Sequence, residues 1–172
     1  MHNQIHDIIS LLISNEQENG LTLEQIQEKY VCGACKSLAM LIKSQFTEND
    51  DVKIVTFERS YVFFDPTLFD MTFKHVCIAT NLDKKGNLQP DSRIYDINGE
   101  RYYKDVDKYL TDLLQKYDSH FKNKKLFNRK PFEIKTEIDK DFHLDNLIGN
   151  QNTPSSILQC YHYLSNQNIN TL

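Results

Sequence analysis

The sequence lacks any long apolar run. Its longest candidate, Ile8 to Ile13, falls far short of the about 18 apolar residues that a membrane helix requires. That stretch also follows Asp7, whereas a secretory leader places basic residues ahead of its apolar core and small residues after it. The amino terminus is therefore expected to be the first helix of the mature domain, and no membrane partner is expected. Positive charge is in deficit too: 20 Lys and Arg against 24 Asp and Glu leave a net charge of −4. This disfavours a nucleic-acid partner, because phosphate contacts need a basic surface. The one basic run, Lys122, Lys124, Lys125, Arg129 and Lys130, reads as a solvated face. Cysteine is scarce, and 4 unevenly spaced copies in 172 residues do not make a disulfide framework. A reducing compartment follows, with the cytoplasm as the expected location; whether the protein acts there or is delivered into another cell stays open. Internal repeats are absent.

What is present is globular composition, 40% hydrophobic and 26% charged. The chain is long enough for one cored domain and short for two, so residues 1–172 are taken as a single domain. Ile5, Ile8, Ile9, Leu12 and Ile13 recur at helical spacing and predict a helix over 3–16, ended at Asn19-Gly20. Thr22 with Gln25 makes a capping-box pattern for a second helix running towards Lys29. Gly33 then breaks the chain, and Leu38, Ala39, Leu41, Ile42 and Phe46 predict a third helix starting near Cys35. Val52 to Phe57, Tyr61 to Phe64, Phe73 to Thr80 and Ile94 to Ile97 are rich in β-branched and aromatic residues and read as strands. Lys84 to Asn87 reads as a turn, and Asn98-Gly99 as a strand end. Helical spacing returns over 105–118 and again from Ser155 to Leu164, with Pro154 at the start. Residues 120–152 are polar and take no assignment; Ser165 to Asn170 read as a frayed tail. Helices first, then an antiparallel sheet, then helices predict an α+β fold, with the third helix packed on a small antiparallel sheet.

The chemistry concentrates between Cys32 and Asp96. Cysteine attacks as a thiolate, and a helix amino terminus favours that anion through its unpaired N–H groups and dipole. Cys35 sits at such a terminus. A base must come within hydrogen-bond reach of it, and a third group must fix the base's tautomer. His75 and Asp96 lie on consecutive predicted strands, and pairing of those strands sets the two side by side, facing the helix that carries Cys35. The candidate triad is thus Cys35 as nucleophile, His75 as base and Asp96 as orienting group. Backbone N–H groups near Cys35, that of Ala34 among them, are candidate oxyanion donors, with Gln27 as a helper.

Cys32-Gly33-Ala34-Cys35 resembles the C-G-[SA]-C segment around a papain-type nucleophile, although Lys36 stands where that family has an aromatic residue. The layout departs from papain proper: His75 follows Cys35 by about 40 residues, against roughly 130 or more there. Lys29 also occupies the place of that family's oxyanion-hole glutamine. The compact order is more similar to the transglutaminase-like branch of the superfamily. Gly33, Cys35 and Ala39 match its G-x-C-x-x-x-A segment, His75-Val76 its H-[VA] and Tyr95-Asp96 its [YW]-D. The resemblance spans about residues 30–100. It implies thiol acyl-transfer chemistry without fixing the substrate; a protein or peptide substrate is expected, with no metal or organic cofactor needed. Peptidases, transglutaminases, glutamine deamidases and acyltransferases all belong to that branch.

Blander readings stand beside this one. Free cysteine is commonly buried, so Cys35 alone reads as core. Cys32, Cys35, His75 and Cys77 make a three-cysteine, one-histidine set suited to tetrahedral zinc in a binding module. Cys32 to Cys35 also has the spacing of a redox pair, although a short helix rather than a strand precedes it. An interaction protein on an inactive enzyme-like scaffold is the remaining alternative. His2, His6, His120, His143 and His162 show no ligand spacing and read as surface residues. Cys160, Tyr102, Tyr103, Tyr161 and Tyr163 read as packing.

Overall fold

Burial in this molecule follows the two periodicities of its sequence, and those periodicities set the elements. The computed structural model describes residues 1–61, 71–117, 135–139 and 145–169. The first helix, α1 (His2–Glu18), buries Ile5, Ile8, Ile9 and Leu12 on one stripe. The second, α2 (Leu23–Cys32), opens on the capping box its sequence predicts: Thr22 Oγ1 accepts from the Gln25 N–H, and the Gln25 side chain accepts from the Thr22 N–H. The third, α3 (Cys35–Ser44), begins at the expected cysteine and buries Leu38 to Ile42.

Five strands form one antiparallel sheet among the described residues: β1 (Lys53–Tyr61), β2 (Met71–Thr80), β3 (Arg93–Asp96), β4 (Gly99–Tyr102) and β5 (Lys135–Asp139), in the order β4-β3-β2-β1-β5. A 3₁₀ turn (Tyr103–Asp105) leads into α4 (Val106–Tyr117). A short helix, α5 (Asp145–Ile148), and the closing helix α6 (Ser155–Ile169) complete the chain. The fold is α+β, with helices at both ends of the chain and α3 packed on β2. One apolar cluster runs through it, from Ile5 and Leu12 through Leu41, Ile54, Ile78 and Ile94 to Leu110 and Ile157. No helix among the described residues is long and apolar enough to cross a membrane.

Several local expectations are corrected. Lys53 to Phe57 and Tyr61 belong to one strand, because Glu58 is held in the ladder from both sides, opposite Lys74 of β2 and Lys135 of β5. Residues 62–64 of the second expected strand lie outside the described residues, as does the basic run of 122–130. β3 ends ahead of Asn98-Gly99 as expected, and that pair is also the bend of a hairpin into β4: Asp96 pairs with Gly99, whose φ of 95° is the left-handed conformation that glycine adopts without strain. The unassigned stretch contains β5 and α5. The expected frayed tail continues as helix to Ile169 because Leu164 still packs on the core. Tyr102 and Tyr163 are exposed rather than packed.

The three outer helices meet at a buried carboxylate. Glu16 of α1 accepts from Lys29 Nζ at 2.7 Å, from the Tyr30 hydroxyl at 2.6 Å and from Ser156 Oγ of α6. Burial alone would raise its proton affinity, but the Lys29 ammonium and the two hydroxyls outweigh that and keep it ionised. A carboxylate in such a position is retained only because its lone pairs are filled.

Candidate functional site

Two strand pairings and one helix start bring the predicted trio together. In β2 the period-two alternation sets His75 and Cys77 on one side, with Phe57 of β1 opposite His75 and Val55 opposite Cys77. The β2–β3 ladder pairs Ile78 with Tyr95, and its next step sets Asp96 beside Cys77, one diagonal from His75. His75 is fully buried and Asp96 nearly so. His75 Nε2 lies 2.7 Å from Asp96 Oδ2. A carboxylate has no proton to give, so the hydrogen of that bond is assigned to Nε2.

That assignment leaves Nδ1 as the ring nitrogen without a proton partner on Asp96. It is buried and makes no hydrogen bond of normal geometry. The Cys35 sulfur is nevertheless near enough that each group shifts the other's proton affinity. The contact is a loose one, as sites without substrate commonly are. Cys35 is 8% exposed, and burial by itself would raise its thiol. The imidazole of His75 and the N–H groups of Val76 and Lys36 outweigh burial and hold it below the ordinary thiol range. His75 shows the converse. Burial disfavours its cation, yet the surrounding sulfurs and the Asp96 carboxylate keep it well above the ordinary histidine value. Of the two sulfurs, Cys77 is pushed up by burial and stays a neutral thiol. Asp96, through its hydrogen bond, and the nearby Cys35 sulfur help to retain the proton on His75. Rings complete the enclosure: Phe73 stacks against the imidazole with centroids 6.1 Å apart, and Tyr109 lies 6.3 Å away.

Asp96 has more partners than sequence reasoning supplied. Its Oδ1 accepts from the Asn98 N–H at 2.9 Å and from Arg101 Nη2 at 3.0 Å. Its Oδ2 accepts from His75 and from the Tyr109 hydroxyl, with Arg101 Nη1 at 3.0 Å. The imidazole of His75 and the Arg101 guanidinium overcome burial and keep this carboxyl far below the usual range. Reading Asn98-Gly99 as a hairpin points towards Arg101, which then pairs with Ile94 and falls on the Asp96 face, whereas Tyr109 comes from α4 and carries no such signal.

The oxyanion expectation needs correction. The Ala34 N–H already donates to the Lys29 carbonyl at 3.0 Å, closing the joint between α2 and α3. It is the Cys35 N–H, inside the first turn of α3, that meets no backbone acceptor among the described residues, as is usual for the first amides of a helix. Gln27 is half-buried on α2 and its amide is bonded to none of the triad side chains. The four-ligand zinc set is not brought together either. Cys32 is exposed, while the potential ligand atoms that do lie within 4.8 Å of one another are those of His75, Cys77 and Asp96. In that group Asp96 and His75 already bond each other, and the Arg101 cation sits on the carboxylate. Its chemistry suits proton sharing better than a divalent ion. An open depression lined by Gln45 to Asp51 lies at the other end of α3 and contains none of these residues.

Among the histidines given no ligand role, His6 meets Glu100 at 3.1 Å and is exposed, and His162 is exposed. His2 is half-buried against the Tyr95 hydroxyl; His120 and His143 lie outside the described residues. Cys160 is buried in α6 as expected, and burial pushes its thiol up to about 11. No protein-family profile, curated protein or solved structure matches this chain at a significant level, so the site is read from its own geometry.

Proposed function

We propose that this protein is a thiol-dependent amide hydrolase, acting on a peptide bond or a glutamine side chain through an acyl-enzyme. The observation that carries the reading is the buried Nε2–Asp96 bond, which leaves His75 Nδ1 as the only ring position for Cys35, itself at a helix start. The Cys35 thiolate attacks the substrate carbonyl carbon, and the carbonyl electrons move onto oxygen. The Cys35 N–H is the nearest backbone donor for that oxyanion. As the C–N bond breaks, His75 gives its Nδ1 proton to the leaving amine. A water then attacks the thioester while Nδ1 takes its proton, and the acid product leaves with Cys35 restored. Asp96 keeps the ring in one tautomer throughout. The resemblance of Gly33-Cys35-Ala39, His75-Val76 and Tyr95-Asp96 to the transglutaminase-like branch supports the same chemistry, and a protein or peptide is the expected substrate.

Iodoacetamide tests this. Accessibility alone favours Cys32, which is exposed, over Cys35, which is buried. Activation favours Cys35. Cys35 is expected to label faster than Cys32 at neutral pH, with a pH midpoint below the about 8.5 of a free thiol, and His75→Ala should return that midpoint to the ordinary range. Preferential labelling of Cys32 would mean an unactivated Cys35, and would favour an interaction protein on an inactive scaffold.

A further inference from the structure

Asp96 has room for about four hydrogen-bond donors, two to each oxygen, and the structure fills them all. Two of the donors, Arg101 and Tyr109, are themselves locked together. The Arg101 guanidinium carbon lies 3.3 Å from the Tyr109 ring centroid, a stacked arrangement available to a planar cation and not to an ammonium. The guanidinium is thus held between an aromatic face and a carboxylate. We propose that Arg101 and Tyr109 are positioning residues of this site: Arg101 neutralises Asp96, and the pair fix the carboxylate so that it aims the His75 ring at Cys35 without acting as the full counter-charge of the imidazolium. This rests on the proposed thiol chemistry for its purpose, although its test does not depend on turnover.

The argument is one of charge counting. The groups facing His75 are Cys35 from α3, Cys77 from β2, Asp96 from β3, Arg101 from β4 and Tyr109 from α4. Cys77 and Tyr109 stay protonated at neutral pH, both raised by burial first of all. Without Arg101, the full negative charge of Asp96 would hold the imidazolium proton more tightly and leave less neutral His75 to act as a base when water attacks the thioester. With Arg101 on both carboxylate oxygens, the Asp96–Arg101 pair is neutral. The hydrogen bond to Nε2 then supplies direction, and the thiolate supplies the opposing charge. Asp96 is left to orient the ring, and His75 is free to give up its proton and take it back.

The test uses the full chain carrying Cys35→Ser, which removes the coupled thiol titration, and follows the His75 ring nitrogens by NMR. Arg101→Gln is expected to raise the His75 midpoint by about one pH unit, the lower end of what an uncompensated neighbouring charge produces. Arg101→Lys keeps the charge, and should leave the midpoint near that of the parent even where stacking is lost. Tyr109→Phe removes a neutral donor and should raise it by less than Arg101→Gln does. A midpoint that stays put or falls in a folded Arg101→Gln protein would overturn the proposal. If that variant does not fold, an Arg101→Lys midpoint displaced as far as one pH unit would overturn it, and an unmoved one would support it. Cys35 labelling in the unsubstituted protein decides the hydrolase reading separately.

Discussion

At the scale of single residues, the grouping of Cys35, His75 and Asp96 was legible because its signals are local. Cys35 follows a glycine break, His75 opens an apolar strand segment, and Asp96 precedes an Asn-Gly bend. What supports Asp96 was not legible: Arg101 and Tyr109 reach it only through the β3–β4 hairpin and the packing of α4, and no spacing rule joins an aspartate to a tyrosine thirteen positions on. This support sets a stability expectation. Asp96 titrates in the folded state far below its ordinary value, so its stabilisation is present above the unfolded value of about 3.9 and is lost as pH falls through the folded one. Asp96→Asn should therefore destabilise the protein at pH 7 by about 3 kcal/mol. That is the low end for a broken buried ion pair, since Asn keeps an acceptor and Arg101 keeps some contact with water. Urea melts should show the gap to the wild type at pH 7 and its narrowing below about pH 4.

At the scale of elements, α1, α2, α3 and α4 were readable because each combines 3.6-residue periodicity with a start or stop signal. β5 was not, because Lys135-Thr136-Glu137-Ile138-Asp139 holds only one strongly apolar residue, and its strand state comes from the ladder it completes beside β1. Tertiary pairing overrides propensity in such a segment. Among the caps, Thr22 offers a clean measurement because it is exposed and its two bonds are local. Thr22→Ala should cost about 1 kcal/mol in urea unfolding while leaving the Cys35 labelling rate unchanged. A changed rate would mean that α2 transmits its fraying to the site.

At the scale of the whole molecule, the α+β class followed from the order of helical and strand-like segments. The sheet order did not, because β5 enters beside β1 from far along the chain. The four cysteines report on the assembled core together. Cys77 and Cys160 are both buried and both pushed up, whereas the Cys35 thiol is held below its ordinary range and Cys32 is exposed. A colorimetric thiol reagent should count two reactive groups in the native protein and four after unfolding in guanidinium; a third native thiol would mean that the β2 or α6 core opens under ordinary conditions.

One residue joins distant parts of this assembly. Lys29 sends its ammonium to Glu16, and its carbonyl receives the Ala34 amide next to the thiol. The seam between the first and last helices and the seat of Cys35 thus share a single mechanical linkage. A displacement of the terminal helices relative to each other would therefore bear directly on the short elbow that seats Cys35, without passing through the sheet.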